Sequence, residues 1–196
     1  IDIDPDSVST AQSLPTKLAP SSRWSVAHRS VFELPPKQYD IVYSWGVLHH
    51  SGAMWDALEK AAQAVTPGGR LVVALYRKTP FCSFWRAEKR LYKSLPKFGQ
   101  TAIRSVYKSF YLLGLWAKGR NPLSYTREIP DRGMDWSHDV HDWLGGYPYE
   151  SASNREVVAE MTNLGFTMEK VISTRPALAG LFGSHCDEYV AQRSRL

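Results

Sequence analysis

Two unbroken apolar runs, Tyr-Asp-Ile-Val-Tyr-Ser at 39–44 and Arg-Leu-Val-Val-Ala-Leu at 70–75, constrain the fold of this chain more than any other feature. Neither alternates cleanly between apolar and polar, so each reads as a strand covered on both faces, the pattern of a parallel sheet. Between them Met54, Leu58, Ala61 and Val65 recur at helical spacing, with Ser51 available as a cap. Thr66-Pro67-Gly68-Gly69 then supplies the turn that ends the helix. Strand, helix and strand in this order make one crossover unit, which is right-handed when the strands are parallel.

The flanks extend the pattern. Asp4 ahead of Pro5 is a helix start, and residues 4–14 read as a helix. Residues 24–27 read as a short strand. After residue 75 the alternation breaks into an aromatic and basic insertion at about 80–147, expected to be helical in its first half and looped in its second. Ser153 and Glu156 form a capping-box signature ahead of Val157, Val158, Met161 and Leu164, and Gly165 stands where a C-terminal cap belongs. Residues 167–173 and 187–192 close the chain as two strands suited to antiparallel pairing at a sheet edge. The expectation is a single α/β domain over 1–196 with a Rossmann-like, doubly wound, mostly parallel sheet and an antiparallel C-terminal edge hairpin.

A content of 43% hydrophobic and 22% charged residues in 196 is that of a globular domain with a core, not of a disordered chain. No apolar run approaches the length of a membrane span, and no leader-like segment opens the sequence. Cys82 and Cys186 fit neither a zinc nor a redox spacing, which points to a reducing, cytoplasmic setting. The net charge of +5 is concentrated between residues 81 and 120, where nine bases face the single acid Glu88. This stretch reads as a surface for an anionic membrane or acidic substrate, or as a solvated helix face. No nucleic-acid-binding signature accompanies it, so no specific nucleic acid partner is expected. His138, Asp139, His141 and Asp142 cluster without a metal-ligand spacing, and no metal is expected.

The opening Ile1-Asp2-Ile3-Asp4-Pro5 delivers an acid at a strand end directly before a helix. In doubly wound sheets ligands bind at the carboxyl ends of strands, and a carboxylate is acceptor-only, able to take both hydroxyls of a ribose. The ordered set of Asp2, Ser30-Val31-Phe32-Glu33, Tyr39-Asp40-Ile41-Val42-Tyr43-Ser44, Gly46-Val47-Leu48-His49-His50, Pro67-Gly68-Gly69 and Cys186-Asp187-Glu188-Tyr189 resembles the class I S-adenosylmethionine-dependent methyltransferases, especially their small-molecule branch. The resemblance covers most of the chain outside about 81–134. It implies S-adenosylmethionine as cofactor and methyl transfer by in-line displacement to a small-molecule acceptor. It places Asp2 on the ribose, Ile3 against the adenine, Ser30 and Val31 along the adenine edge, and Ser44 and Trp45 beside the sulfonium. His49 and His50 follow as candidate catalytic bases, since imidazole titrates near neutral pH. The insertion becomes a candidate lid over the acceptor.

The family's first strand and glycine-rich loop have no counterpart in this sequence. The isolated chain is therefore expected to bind the cofactor poorly, and a catalytically degenerate scaffold is the alternative reading. A nicotinamide-dependent short-chain reductase is disfavoured because no tyrosine has a lysine four residues on.

Overall fold

The computed structural model describes residues 1–17, 24–122, 124, 136–173, 180–181 and 183–195, apart from the side chains of 14–17. The strands are β1 (Tyr39–Trp45), β2 (Val65–Tyr76), β3 (Phe166–Ile172) and β4 (Cys186–Arg193). The helices are α1 (Pro5–Lys17), α2 (Met54–Gln63), α3 (Cys82–Ser94), α4 (Lys97–Ala117), α5 (Trp136–Gly145) and α6 (Asn154–Asn163). They divide into two units.

The first unit takes the described residues of Ile1–Arg77, Ala152–Thr174 and Cys186–Leu196. Its sheet runs β1-β2-β4-β3, with β1 parallel to β2 and the other two pairings antiparallel. Leu71, Val73 and Leu75 of β2 lie on one face with Tyr189 and Ala191 of β4, all at most 1% exposed. Against that face pack Met54, Ala57, Leu58 and Ala61 of α2 and Val157 and Met161 of α6. Met54, Leu58 and Ala61 thus form the buried stripe expected of α2, whereas Val65, expected to continue it, is the first residue of β2 because α2 ends at Gln63; Val157 and Met161 are the buried part of the stripe expected of α6. The C-terminal hairpin forms as expected, with β4 inside the sheet and β3 at its edge.

Three local expectations change. Residues 24–27 do not build a ladder: one parallel bridge joins Asp2 to His28, with Asp2 N donating to Ala27 O and Arg29 N to Asp2 O. Thr66-Pro67-Gly68-Gly69 is not a free turn but the first part of β2, set off as a bulge, since Tyr39 pairs with Val65 and Ile41 with Arg70. Gly69 is required there, because a Cβ would lie 2.7 Å from Asp40 O. Ser51 does not cap α2. Its hydroxyl donates to Leu48 O and accepts from Ala53 N, while Ala53 is the cap residue.

Asp4 and Ser153 act as caps as expected. Asp4 Oδ2 accepts from Ser7 N and Ser7 Oγ, and these bonds hold its carboxyl below the usual range. Ser153 Oγ accepts from Glu156 N, Glu156 Oε2 accepts from Ser153 N, and Gly165 closes α6 at φ +83°.

One buried charge pair links the residue that follows β2 to β4. Arg77 Nε donates to Asp187 Oδ2 at 2.8 Å, and the Asp187 side chain is only 1% exposed.

The second unit takes the described residues of Lys78–Ser151 and Arg175–His185. Tyr92 of α3 with Val140 and Leu144 of α5 form its small core, joined by Ile103 and Tyr107 of α4. The half of the insertion expected to be looped therefore carries a helix, α5. Its Val140 and Leu144 lie four apart on the buried side. Lys89 is fully buried, donates to Trp143 O and stands 3.5 Å from the centroid of the Trp143 ring. Burial depresses its ammonium pKa and lifts that of the neighbouring Glu88 carboxyl to about 7.

Replacing Arg77 by Met leaves Asp187 charged and buried, and unfolding free energy should fall by about 3 kcal/mol in urea titrations. Glu88 titrates near 4.5 when unfolded and about 7 when folded, so the folded state binds the extra proton in between. Stability should then decline as pH rises through that window, and Glu88→Gln should flatten the decline in melting temperature.

Candidate functional site

The sequence-predicted residues all fall in the first unit and form two groups. Asp2 and Ile3 lie at the bridge to His28, and Ser30 and Val31 follow that bridge directly. His28 Nε2 is 3.0 Å from Ile3 O, which adds a side-chain tie to the two backbone bonds. Asp2 Oδ1 accepts from Asp4 N at 2.9 Å, so one carboxylate oxygen fixes the turn into α1. Asp2 and Ile3 are both exposed, Ile3 by 69%.

Ser30 caps the short 3-10 turn Val31–Glu33. Its hydroxyl oxygen accepts from Phe32 N, and Glu33 accepts from Ser30 N. The hydroxyl hydrogen is not used by that bond and is still available to an acceptor. Val31 is half-buried against the same core that holds Leu48 and Met54.

The second group begins where β1 ends. Ser44 and Trp45 are the last two residues of β1, paired with Val73 and Ala74, and Trp45 stacks on Tyr43 at 5.7 Å. Gly46 follows at φ +74°, a left-handed conformation that suits glycine, and its N–H donates to Ala74 O. The chain then makes the 3-10 turn Leu48–His50, which sends Leu48 and His49 inward and leaves His50 half-buried.

His49 is wholly buried, and its Nδ1 accepts from Tyr76 N at 3.3 Å. A ring nitrogen that accepts a backbone N–H carries no proton, so the bond selects the neutral tautomer protonated at Nε2. Its ring lies 3.7 Å from that of Tyr76 and 4.4 Å from that of His50, and His50 meets Tyr76 edge-on at 5.3 Å. Tyr76 is the residue that sequence reasoning missed. It is the last position of β2, parallel to β1, and that placement is the signal that brings it to the same end of the sheet. Burial, with Cys186 beside it, raises its hydroxyl pKa far above the ordinary range, so it stays protonated.

Among the described residues no three His, Cys, Asp or Glu side chains are gathered to hold a metal ion. His138, Asp139, His141 and Asp142 lie on α5, where His141 Nδ1 is hydrogen bonded with Tyr92 OH at 2.7 Å.

Residues 1–71, which contain every residue of both groups, match the family model described as a methyltransferase domain. Among solved structures, an S-adenosylmethionine dependent methyltransferase from Mesorhizobium loti matches 98% of this chain and 78% of its own, with 14% identity and a TM-score of 0.53. The fold is a methyltransferase fold. Magnesium protoporphyrin IX methyltransferase from Synechocystis PCC 6803, solved with bound SAH, shares it at 16% identity and a TM-score of 0.52. So does the cyclase SpnF, at 9% identity and a TM-score of 0.56. The chain covers 61% of the protoporphyrin enzyme and 64% of the cyclase, less than two thirds of either. No curated protein matches the sequence.

Proposed function

We propose that this chain supplies the adenosine-facing and acceptor-facing wall of an S-adenosylmethionine-dependent methyltransferase acting on a small molecule. The observation that carries the reading is Asp2. Its backbone is pinned by the bridge to His28, its Oδ1 is spent on the turn into α1, and its remaining oxygen is exposed directly before a helix. A carboxylate so held is suited to a ribose diol. Ile3 would lie along the adenine, with Val31 and the Ser30 hydroxyl hydrogen at its edge. Ser44 and Trp45, at the end of β1, would border the reacting centre.

The cofactor, when bound, supplies a methyl group on a sulfonium that is open to in-line displacement. The protein's share is orientation, with proton removal where the acceptor requires it. His50 is suited to that removal because it is only partly buried. The entirely buried His49 holds the turn instead, through its bond to Tyr76 N. Cys82 and Cys186 fit neither a zinc nor a redox spacing, which suits a reducing compartment such as the cytoplasm.

The described residues furnish one wall only. β1 is an edge strand, and Ile41 and Tyr43 on it are each 64% exposed. Weak cofactor binding by this chain alone follows. A second reading, a domain with this fold that does not transfer methyl groups, draws on the match to a protein named as a cyclase.

Titration calorimetry with S-adenosylmethionine should give weak binding by the chain, weakened by about tenfold or more in Asp2→Ala, the loss of a charged hydrogen bond. Binding untouched by that substitution would remove Asp2 from the site. In a protein carrying this chain, His50→Gln should lower methyl transfer by about a hundredfold with the melting temperature nearly unchanged. Unaltered turnover would assign proton removal elsewhere, and the absence of transfer to any small-molecule pool would favour the second reading.

A further inference from the structure

One face of α3 is buried in the second unit, and the other carries positive charge without a counterion. Cys82, Trp85, Lys89 and Tyr92 recur at helical spacing and are buried. Ser83, Ala87 and Arg90 recur at the same spacing on the outward side and are exposed, with Leu91 beside them. Ser83 and Ala87 are small, so the outward face is hollow between its longer side chains, and Tyr147 lines the hollow with them. The open cleft that results has a volume of about 480 Å³, within the range of small-molecule sites.

The charge in this cleft is of one sign. Arg86 and Arg90 both line it, four residues apart and so separated by about 6 Å of helix rise. Like charges one turn apart repel each other. The one acid of α3, Glu88, stands two residues from each of them, about 200° round the helix, and cannot neutralise either. Arg86 Nε donates to Tyr149 O at 3.1 Å, and Lys93 Nζ donates to Tyr147 O at 3.1 Å. These bonds strap the 147–149 segment to α3 and orient the Arg86 fork, but a carbonyl acceptor carries no charge. Among the described residues no carboxylate pairs with Arg86, Arg90 or Lys93.

Two guanidinium forks one turn apart fit an anion with two charges and more than two acceptor oxygens. A carboxylate, with one charge and two oxygens, satisfies one fork. A phosphate monoester carries nearly two charges at neutral pH and three terminal oxygens, enough for both. Leu91, 55% exposed, and the Tyr147 ring offer apolar surface to whatever the phosphate is attached to. We propose that the outward cleft of α3 binds a small organic phosphate monoester, its phosphate held by Arg86 and Arg90 and its apolar body against Leu91 and Tyr147. Every residue of this site belongs to the second unit and none to the cofactor-facing wall, so it stands or falls independently of methyl transfer.

The test is titration calorimetry of the chain with phenyl phosphate, beside inorganic phosphate and phenol. Phenyl phosphate should bind about tenfold more tightly than inorganic phosphate, because its ring is taken from water, and phenol should give no measurable heat. Arg90→Gln should weaken both anions by about tenfold or more, the loss of a charge-assisted contact. Arg90 is exposed and has no partner among the described residues, so the melting temperature should be unchanged. Leu91→Ser should weaken phenyl phosphate while inorganic phosphate binds as before. No saturable binding of phenyl phosphate, or binding that Arg90→Gln leaves intact, overturns the proposal. Equal affinity for phenyl phosphate and sulfate does so too, since the cleft would then take any anion. Vesicles of phosphatidylcholine with phosphatidic acid present the same group as a lipid headgroup. Pelleting with them that Arg90→Gln abolishes would overturn the assignment to a soluble ligand.

Discussion

Everything in the first unit is referred to the face that β2 presents through Leu71, Val73 and Leu75. These side chains are at most 1% exposed, and the strand is hydrogen bonded on both sides. Interiors pack to crystal-like density, so a strand buried this completely leaves its neighbours little freedom of register. β1 is set against it in parallel and β4 antiparallel, α2 and α6 cover the same face, and Arg77 continues from it to neutralise Asp187. The site inherits its geometry from this. β1 ends beside Ala74, Gly46 hydrogen bonds to Ala74 O, and the next turn is anchored when His49 accepts Tyr76 N. The catalytic candidates are thus positioned from the backbone of one buried strand.

That arrangement separates two histidines that are adjacent in sequence. The buried imidazole serves as a hydrogen-bond acceptor in a ring cluster with Tyr76, while its neighbour keeps partial access to solvent. Both Asp2 and Ser30 combine a folding task with a candidate binding task. Asp2 uses one oxygen on Asp4 N and Ser30 uses its oxygen on Phe32 N, so each is oriented by the bond it makes locally. Such preorganisation is what a ligand needs if its binding energy is not to be consumed in ordering side chains.

Signals that depend on sequence spacing alone were legible. The capping box at Ser153 and Glu156, the start at Asp4-Pro5, the C-terminal hairpin and the apolar stripes of α2 and α6 all follow local rules. What was not legible depended on pairing partners far away in the chain. Residues 24–27 have strand-forming composition, but a ladder needs an extended partner, and Asp2 offers one bridge. Thr66-Pro67-Gly68-Gly69 carries turn composition, yet pairing of Val65 with Tyr39 draws it into β2 as a bulge. Tyr76 and Asp187 gain their roles from strand register, which no local pattern encodes. α5 was hidden because its burying surface is supplied by α3 and α4.

The open edge of β1 has a colloidal consequence. Tyr39–Trp45 holds seven residues rich in aromatic and β-branched side chains, without proline and with Asp40 as its one charge. Among the described residues β2 is the one strand that pairs with it. Such an edge is a template for any extended chain that meets it, and short apolar windows of low charge are the ones that propagate. A fragment limited to these residues would therefore seed its aggregation from the strand that carries Ser44 and Trp45.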